Sequence, residues 1–478
     1  MKIETVDVII CGYGGAGAAA AIEAADNGAS VLLAEKVSEG GGSTRESGGS
    51  VATVLNRDGA VEHYLAITEG RTPRSVMEAY VDGLLGLEQW VADNGGEFER
   101  LPMTRPPFPH RYEGSAYGKF PLSEAIGERI RIAEAGYTHG GTTLWRFLER
   151  NVAARSIAVR YDMAASRLMV ENGEVCGVEF RTGTETVSVN ATHGVILSCG
   201  GFGCDTAMVR DAVAPGVAYF SPPGRNTGDG VRMAQEIGAD LWHMSCVAAG
   251  FGYQVPDLDS AWMCSIPAFG FFMVDRDGRR FLDEPTIEHH AANHALVVRE
   301  VRTGEFRRLP SFLIFDETTR LAGRIATAEA GFNRHIGWSE DNSEEVTKGW
   351  IRQGADFADL ARQLGLPEQA LVETGRRYND ACRNGDDEMG RSADTLVPIE
   401  TPPFYGIEVR PALFNTQGGP RRNEHGEVLS VDGSPIPGLF GAGELGSIWA
   451  ALYPGAGNVS EAIVSGRIAG RRASARGR

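Results

Sequence analysis

The clearest pattern in the chain is an apolar run that gives way to glycines, then to a helical period, then to a second apolar run. Residues 5–11 read TVDVIIC, which is typical of a β-branched strand buried in a parallel sheet. Residues 18–28, AAAAIEAADNG, predict a helix that ends at Gly28, and residues 30–35, SVLLAE, predict a second strand. This order predicts a βαβ unit at the start of the chain.

Glycine-rich and alternating stretches follow. Residues 40–49, GGGSTRESGG, have no period and predict a loop whose backbone approaches a ligand closely. Apolar and polar residues alternate through much of residues 157–189, which predicts a small antiparallel sheet. Residues 193–203, HGVILSCGGFG, predict another buried strand followed by glycines, and residues 228–239, GDGVRMAQEIGA, predict a helix.

The composition changes after about Trp242 and changes back after about Pro403. The intervening stretch is richer in aromatic residues and lacks glycine fingerprints, whereas NTQGG, GLFGAGELG and YPGAGN follow it. A chain of 478 residues is long enough for two hydrophobic cores. We therefore predict an α/β fold in which residues 1–241 and 387–478 form a Rossmann-like domain and residues 242–386 form an inserted α+β domain.

Charge and cysteine content exclude several classes of partner. The formal net charge of -17 argues against nucleic acid, because a phosphate-binding face needs clustered Lys and Arg. The sequence has no window of about 18 apolar residues, so we expect no membrane segment and a cytoplasmic protein. Its seven cysteines form no CxxC pair, which favours reduced thiols over disulfides, zinc or an iron–sulfur cluster.

The turn after the first strand has the spacing of a dinucleotide-binding fingerprint. Gly12, Gly14 and Gly17 form GxGxxG between a strand and a helix, where they allow a tight turn, approach of a pyrophosphate and close helix packing. The helix N-terminus supplies amide donors to that anion. Glu35 ends the second strand, where a carboxylate accepts ribose hydroxyls and disfavours the 2′-phosphate of NADP. FAD and NAD remain as candidates.

Three later motifs distinguish between these cofactors by resemblance. GGGSTRESGG, GVILSCGGF and GLFGAGELG resemble, in order, the cofactor segments of the flavoprotein superfamily that contains fumarate reductase, succinate dehydrogenase and the 3-ketosteroid dehydrogenases. The resemblance spans nearly the whole chain. It implies FAD, held by a glutathione-reductase-like Rossmann domain with an inserted capping domain. STRESGG contains no histidine of the kind that links the flavin in covalent members, which implies non-covalent FAD.

The resemblance also implies a set of cofactor-binding residues. It assigns Glu35 to the adenosine ribose, Glu444 to a ribityl hydroxyl, and the backbone at Asn458 and Val459 to the pyrimidine edge of the flavin. A helix N-terminus at the flavin would stabilise the negative charge of the reduced ring. The complete set is Gly12, Gly14, Gly15, Ala16, Gly17, Glu35, Lys36, Ser43, Thr44, Ser47, Gly48, Gly49, Ala164, Ser198, Gly200, Asp229, Gly443, Glu444, Asn458 and Val459.

The carboxyl-terminal motifs separate members by substrate. Fumarate reductase-like enzymes place a His before Thr-x-Gly-Gly and an Arg before Gly-Gly-Asn, whereas this chain has Phe414 and Asn415, then Tyr453 and Pro454. Without that His and that Arg, a dicarboxylate substrate would lack the cationic side chains that bind its carboxylates. LYPGAGN resembles the 3-ketosteroid 1-dehydrogenases instead. There the Tyr453 hydroxyl and the Gly457 N–H would donate to a ketone oxygen, as in an oxyanion hole, while a base removes the α-proton and a β-hydride leaves for flavin N5.

The base is less clearly marked. In the steroid enzymes that the chain resembles, a cap tyrosine follows a hairpin like RRFLDE, but here the sequence continues EPTIEHHAANHA and contains no tyrosine. This segment contains His289, His290 and His294, and a histidine base suits neutral pH. Tyr112 and Tyr117 are further candidates. Arg320 falls roughly where the reductases keep a proton-donating Arg. The main catalytic candidates are therefore Tyr453, Gly457, His290, Arg320 and Tyr117, against the alternatives of a core tyrosine beside Trp449 and of surface His and Arg side chains.

Two enzyme functions and one binding function follow. The first is desaturation of a cyclic ketone, either a steroid or a smaller cyclohexanone derivative; an oxocyclohexane carboxylate would bring in Arg and His as anion binders. The second is the reverse reaction, the reduction of an activated alkene, because flavin potential sets the direction. The third is a flavoprotein subunit of a larger complex. The sequence leaves open whether the electron acceptor is a quinone, oxygen or a redox protein.

Overall fold

The structure is a computed structural model that describes residues 4–101, 120–133, 140–219, 225–256, 260–286, 290–326 and 337–476. Its α-helices, in chain order, are α1 (Gly15–Asp26), α2 (Gly42–Glu46), α3 (Arg57–Ile67), α4 (Arg74–Leu85), α5 (Leu87–Asp93), α6 (Gly140–Ala153), α7 (Thr206–Ala212), α8 (Asp229–Glu236), α9 (Ala292–Leu296), α10 (Glu317–Leu321), α11 (Ser343–Thr347), α12 (Phe357–Leu364), α13 (Glu368–Asn384) and α14 (Gly457–Ala475).

The strands form two large sheets and two small ones. In chain order they are β1 (Glu4–Cys11), β2 (Val31–Ala34), β3 (Ser50–Val51), β4 (Glu97–Leu101), β5 (Arg129–Ala133), β6 (Ile157–Arg160), β7 (Ala164–Glu171), β8 (Glu174–Thr182), β9 (Glu185–Leu197), β10 (Ala218–Tyr219), β11 (Leu241–Trp242), β12 (Val247–Gln254), β13 (Ala261–Met263), β14 (Phe271–Val274), β15 (Ser311–Asp316), β16 (Arg352–Gly354), β17 (Phe404–Thr416), β18 (Gly419–Pro420), β19 (Glu427–Leu429) and β20 (Pro435–Gly441).

The first sheet is the predicted dinucleotide-binding sheet. Its order is β19-β20-β9-β1-β2-β6, and β20, β9, β1, β2 and β6 run parallel to one another. Val8 is opposite Val31 on β2 and Gly194 on β9, and the last four residues of β1 are buried. This confirms the predicted βαβ unit, because β1, α1 and β2 follow each other in the chain and the two strands pair in parallel.

The antiparallel strands after residue 160 are continuous with this sheet and do not form a separate one. β7 pairs with β8, and β8 pairs with β9. β9 is 13 residues long, so its first half can pair with β8 while its second half pairs with β1 and β20. The alternation of apolar and polar residues was sufficient to predict the strands, but it gave no sign of this shared strand.

Small residues allow two helices to pack closely beside the sheet. α1 is mostly alanine and glycine, and it packs along α14. A Cβ atom on Gly466 would stand 2.3 Å from the carbonyl oxygen of Ala16, and one on Gly470 would stand 2.4 Å from that of Ala20. Such distances leave no room for a side chain. The close approach brings the N-termini of both helices to the same region of the molecule, where the cavity described below lies.

The second large sheet is antiparallel around its long central strand, except for β10, which pairs with that strand in parallel. Its order is β13-β12-β17-β15-β14, and β17 also pairs with β10 and β16. β10 and β17 lie outside residues 242–386, so the sheet of the cap takes strands from a wider range than the segment predicted to be inserted. Domain limits at residues 241 and 386 remain a prediction. The class, a parallel α/β cofactor fold with an antiparallel cap, is confirmed.

Candidate active site

A cavity of about 1220 Å³ is lined by both large sheets and their loops. The turn after β1, the loop before β3, the ends of β2, β9 and β17, and the start of α14 contribute to one part of it. The cap contributes Met263, Ser265, Ile266, Pro267, His290, Arg324, Ala326 and Glu340. The motifs predicted to hold a cofactor and those predicted to hold a substrate therefore share one space.

The glycine turn has the three properties that the fingerprint predicts. Gly12 has φ +105°, and a Cβ atom there would meet the carbonyl oxygen of Ser198 at 2.4 Å. The nearest atom to a Cβ on Gly14 would be 3.8 Å away, so Gly14 leaves backbone open to the cavity that it lines. Gly17 lies outside the lining, where a Cβ atom would stand 1.9 Å from the Gly12 carbonyl oxygen, consistent with a packing role.

Glu35 is held at the end of β2 with its carboxylate at the cavity. The Tyr13 N–H donates to its Oε2 (2.8 Å), and the Val37 N–H donates to its Oε1 (3.2 Å). Lys36 and Asp229 also line the cavity and form an ion pair at 2.9 Å. This placement agrees with the predicted contact between Glu35 and an adenosine ribose. Ala164 is not in the lining, although its neighbours Met163 and Ala165 are.

Residues 40–49, predicted to be a loop, contain the short helix α2, in which the Arg45 N–H donates to the Gly41 carbonyl (3.2 Å); a helix of five residues is too short to show a period in the sequence. This segment lines the cavity through Ser43, Thr44, Ser47, Gly48 and Gly49. Gly49 has φ +64°, and a Cβ atom there would meet the carbonyl carbon of Gly140 at 2.0 Å. Asn226, which sequence reasoning missed, ties this loop to the far wall. Its amide donates to Ser43 Oγ (3.0 Å) and to Glu444 Oε2 (3.2 Å). The available signal was its position two residues before the Gly-Asp-Gly that opens α8.

Glu444 is a buried carboxyl group in the cavity wall. The Thr416 N–H donates to its Oε1 at 3.1 Å. Burial raises the pKa of Glu444 to about 8, against the opposing effect of hydrogen bonds from Thr416 and Asn226. A ligand with hydroxyl groups would suit Glu444, because a hydroxyl can donate a hydrogen bond to a carboxyl oxygen and can also accept one from a protonated carboxyl. Ser198, Gly200 and Gly443 line the same region, as predicted.

The start of α14 supplies a buried acceptor that no group in the structure satisfies. Ala456 has φ +66° before the helix begins at Gly457, and Asn458 and Val459 line the cavity. The Oδ1 atom of Asn458 is buried and has no hydrogen-bond partner. An unsatisfied buried acceptor costs about 1–3 kcal/mol, so a donor from a ligand is expected here. The glycine cradle, the Glu35 carboxylate and this acceptor fit an FAD with its adenosine end at β1 and its ring at α14.

Tyr453 lies where the cavity passes from the cofactor residues to the cap. It is buried, and its hydroxyl accepts a hydrogen bond from the Asn458 N–H at 3.2 Å. Its ring packs edge-on against Trp449, with the centroids 6.5 Å apart, and it also lines the cavity. Tyr453 therefore has both predicted features: it packs in the core beside Trp449, and it lines the cavity where a substrate would bind. The Gly457 N–H donates to the Pro454 carbonyl (2.9 Å), and Gly457 is outside the lining, so a second donor at Gly457 stays a prediction that requires this bond to open.

His290 is the base candidate that the structure brings to Tyr453. The two ring centroids are 4.7 Å apart, and the ring of Phe414 lies 5.0 Å from His290 on the other side. All three side chains line the cavity. His294 is outside the lining, with its Nε2 3.1 Å from the Ala451 carbonyl oxygen. The other candidates, His289, Tyr112 and Tyr117, lie outside the described residues.

The proposed proton-donating role of Arg320 is not supported by its position. Arg320 is outside the cavity lining, and both its Nε and an Nη lie 2.6 Å from the Glu317 carboxylate. Hydrogen bonds to Glu317 raise the pKa of Arg320, which makes proton donation still harder. Arg324 lines the cavity instead. Sequence spacing could not separate them, because α10 ends at Leu321 and the chain then turns.

Other residues that line the cavity had no motif to mark them: Arg129, Arg131, Arg225, Met263, Ser265, Ile266 and Pro267. They come from β5, from the end of β13 and from loops far apart in the chain, where neither spacing nor period connects them. Within the ranges that the structure describes, no group of three or more His, Cys, Asp or Glu side chains could hold a metal ion. In the same ranges, no helix is long and apolar enough to cross a membrane.

Fold and site together define an FAD-binding flavoprotein, and comparison with known proteins gives the family. A family model described as FAD binding domain matches residues 7–459, so the chain belongs to this family. It binds FAD and is an oxidoreductase that acts on CH–CH bonds. The crystal structure of 3-ketosteroid Δ1-dehydrogenase from Sterolibacterium denitrificans with 1,4-androstadiene-3,17-dione has the same fold, with a TM-score of 0.83, 21% identity and coverage of 99% of this chain and 100% of that one.

Relatives by sequence include ketone dehydrogenases and a reductase. The chain is 28% identical to 3-oxosteroid 1-dehydrogenase of Mycobacterium tuberculosis, covering 98% of each protein. It is 26% identical to 4-oxocyclohexanecarboxylate 2-dehydrogenase of Sinomonas cyclohexanicum, covering 98% of this chain and 92% of that protein. It is also 26% identical to NADH:fumarate oxidoreductase of Klebsiella pneumoniae over 99% of its own length, and it spans 48% of the length of that protein.

Proposed function

We propose that this protein desaturates a cyclic ketone at its α,β carbons. The observation that supports this most is the pairing of Tyr453 with His290, at 4.7 Å between ring centroids, in the same cavity as the FAD cradle. A hydroxyl donor and a proton acceptor side by side are what removal of a proton next to a carbonyl requires. FAD, when bound, supplies the two-electron chemistry by accepting a hydride.

Tyr453 is the carbonyl-binding residue of this proposal. Because its hydroxyl oxygen already accepts from the Asn458 N–H, its own hydrogen is directed to a different acceptor. A donor to the ketone oxygen stabilises the enolate that forms as the α-proton leaves. The bond from Asn458 polarises the hydroxyl and fixes its orientation. Burial of the tyrosine ring keeps water from competing for the same oxygen.

His290 is the proposed base. It reaches the cavity from the cap, and its backbone carbonyl is held by the Ala249 N–H at 2.9 Å. Its ring packs against the rings of both Tyr453 and Phe414, which limits the positions available to the imidazole. A neutral imidazole takes the α-proton, while the hydrogen on the neighbouring β-carbon leaves as hydride.

The walls favour a ring ketone over a small dicarboxylate. Phe414, Met263, Ile266 and Pro267 are apolar. In the last glycine motif, Tyr453 stands where fumarate reductase-like enzymes have an arginine that binds a substrate carboxylate.

Anaerobic bleaching of the flavin tests the proposal. The FAD-loaded protein is mixed without oxygen with steroid ketones, cyclohexanone derivatives and saturated dicarboxylic acids in turn, and the flavin absorbance is followed. We expect at least one cyclic ketone to bleach the flavin and to yield the α,β-unsaturated ketone. Bleaching by succinate-like acids alone would contradict the proposal.

The same panel can be run in the opposite direction. Chemically reduced protein is mixed with the unsaturated products, and reoxidation of the flavin is followed. Since one site serves both directions, reoxidation by the enone with no bleaching by the saturated ketone would identify an alkene reductase, as the Klebsiella relative suggests.

A further inference from the structure

Arg324 is a cation in the cap wall of the cavity that the proposed reaction does not use. The Ser265 N–H donates to the Ile325 carbonyl at 2.6 Å, which fixes the backbone next to Arg324 against the segment that follows β13. Ser265 and Arg324 both line the cavity. Among the described cap residues in that lining, the only other ionisable side chains are those of His290 and Glu340. The backbone that carries the Arg324 guanidinium is therefore fixed at the cavity wall.

The guanidinium is only partly satisfied within the protein. One Nη of Arg324 pairs with Glu340, but 85% of the Glu340 side chain is exposed, so water screens this pair and it contributes little. The Nε of Arg324 is buried and has no hydrogen-bond partner in the structure. A planar guanidinium with N–H donors that the protein leaves unused can donate a pair of hydrogen bonds to a substrate carboxylate.

Arg324 and the proposed base belong to cap segments that are anchored close together on β12. The Ala249 N–H donates to the His290 carbonyl, and Gly252 pairs with Met263, shortly before Ser265, whose N–H donates to the Ile325 carbonyl. These anchor points on β12 lie about 10 Å apart at the usual rise of a strand. Arg324 and His290 therefore line neighbouring parts of the same cap wall.

We propose that Arg324 is a specificity-determining residue and that the substrate is a ring ketone bearing a carboxylate. The ketone oxygen lies at Tyr453 and the carboxylate lies against Arg324, with Glu340 released to solvent. This inference rests on the proposed function and narrows it to anionic ring ketones. The name of the Sinomonas relative is compatible with this substrate class, but the assignment to Arg324 comes from the cavity itself.

Two pairs of probes test the inference. The first pair is 4-oxocyclohexanecarboxylate and its neutral counterpart 4-methylcyclohexanone, measured by anaerobic flavin bleaching. We expect Arg324→Met to raise KM for the carboxylate about 10- to 100-fold, the cost of a lost charge-assisted hydrogen bond, and to leave kcat/KM for the neutral ketone unchanged. Arg302→Met is the control: it removes an arginine side chain from an exposed position of the cap and should change KM for neither ketone.

The second pair measures binding without turnover. 4-Hydroxybenzoate and phenol are titrated against the FAD-loaded protein, and the shift of the flavin spectrum gives Kd. Arg324→Met should raise Kd for 4-hydroxybenzoate and leave Kd for phenol unchanged. Equal effects on both members of either pair, or no effect on the carboxylates, would overturn the role of Arg324. If no cyclic ketone of the bleaching panel bleaches the wild-type flavin, the proposed function fails, while the Kd comparison still decides whether Arg324 binds a carboxylate.

Discussion

The two ends of the cavity are built in different ways. At the cofactor end, backbone and short side chains of a few glycine-rich motifs form the wall, and Gly12, Gly49 and Gly200 are too close to other atoms to carry a Cβ. At the cap end, the wall is made of larger side chains, among them Met263, His290 and Phe414, from segments distant in the chain. The cofactor end is thus specified by backbone shape and the cap end by side-chain chemistry.

This difference predicts how mutations act. A cofactor that approaches the backbone tolerates few added atoms, so substitutions there should change FAD affinity or folding. A substrate held by side chains depends on their functional groups, so substitutions there should change turnover and leave FAD in place. Each experiment below tests one half of that contrast.

The largest effect is expected at His290. His290→Gln removes the proposed base and keeps a polar side chain of similar length, so kcat should fall about 10²- to 10⁴-fold. Steady-state kinetics with a reactive ketone measure it, together with the FAD content of the purified variant. His294→Gln is the matched control, because His294 is outside the cavity lining. A comparable loss in both variants, or none at His290, would remove His290 from the reaction.

The next largest effect is expected at Tyr453. Tyr453→Phe deletes the donor to the ketone oxygen and should lower kcat about 10²- to 10³-fold without loss of FAD. Tyr64→Phe is a matched control: Tyr64 also packs against Trp449, at 5.3 Å between ring centroids, and its buried hydroxyl has no partner in the structure. Equal activity of the two variants would return Tyr453 to a packing role.

At the cofactor end, neighbouring glycines should respond differently. Gly14→Ala adds a methyl group toward the cavity, so FAD affinity should fall about 10-fold or more while the unfolding temperature of the apoprotein stays the same. Gly17→Ala places a Cβ 1.9 Å from the Gly12 carbonyl oxygen and should instead destabilise the apoprotein by about 1–3 kcal/mol. Flavin fluorescence titration and thermal unfolding separate the two effects.

Gly337→Ala is the control for both variants, because a Cβ there meets no atom of the described residues within 4 Å. If Gly14→Ala unfolded the apoprotein, or if Gly17→Ala affected only FAD binding, the assignment of one glycine to the ligand and the other to packing would be wrong.

The smallest effect is expected from Glu444 and depends on pH. Its folded pKa of about 8 exceeds the ordinary value of 4.5, so the folded apoprotein keeps a proton that the unfolded chain loses. Stability from this group is therefore complete below pH 4.5 and is lost as pH rises toward 8. The unfolding temperature of apoprotein should fall more steeply over this range for wild type than for Glu444→Gln. Parallel pH curves for the two proteins would contradict the raised pKa.

The cofactor end was predictable from the sequence because its determinants are local. GxGxxG, Glu35 and the loop of residues 40–49 each act through a turn or a strand end that the nearby sequence specifies. The structure places nearly all of these residues in the lining, and the departures are instructive. Gly17 packs behind the turn, and Ala164 is replaced by its neighbours Met163 and Ala165.

The cap end was predictable only in part, since strand pairing over long separations decides which side chains meet. Tyr453 was predicted from its motif, whereas His290 was one of three nearby histidine candidates. The pairing of Ala249 with Ala291, the residue after His290, decides that His290 lines the cavity. Arg320 and Arg324 look equivalent in the sequence, but the end of α10 separates an arginine paired with Glu317 outside the lining from one that lines the cavity. Asn226 needed both of its partners, Ser43 and Glu444, to be placed first.

The most direct test of the central claim is the rate of anaerobic flavin bleaching by one reactive cyclic ketone, unlabelled and fully deuterated at its α carbons. Removal of an α-proton by His290 beside a carbonyl held by Tyr453 predicts that the labelled ketone bleaches the flavin more slowly. It also predicts that Tyr453→Phe lowers the rate for both forms. Bleaching by saturated dicarboxylic acids while every cyclic ketone stays inert would contradict the account.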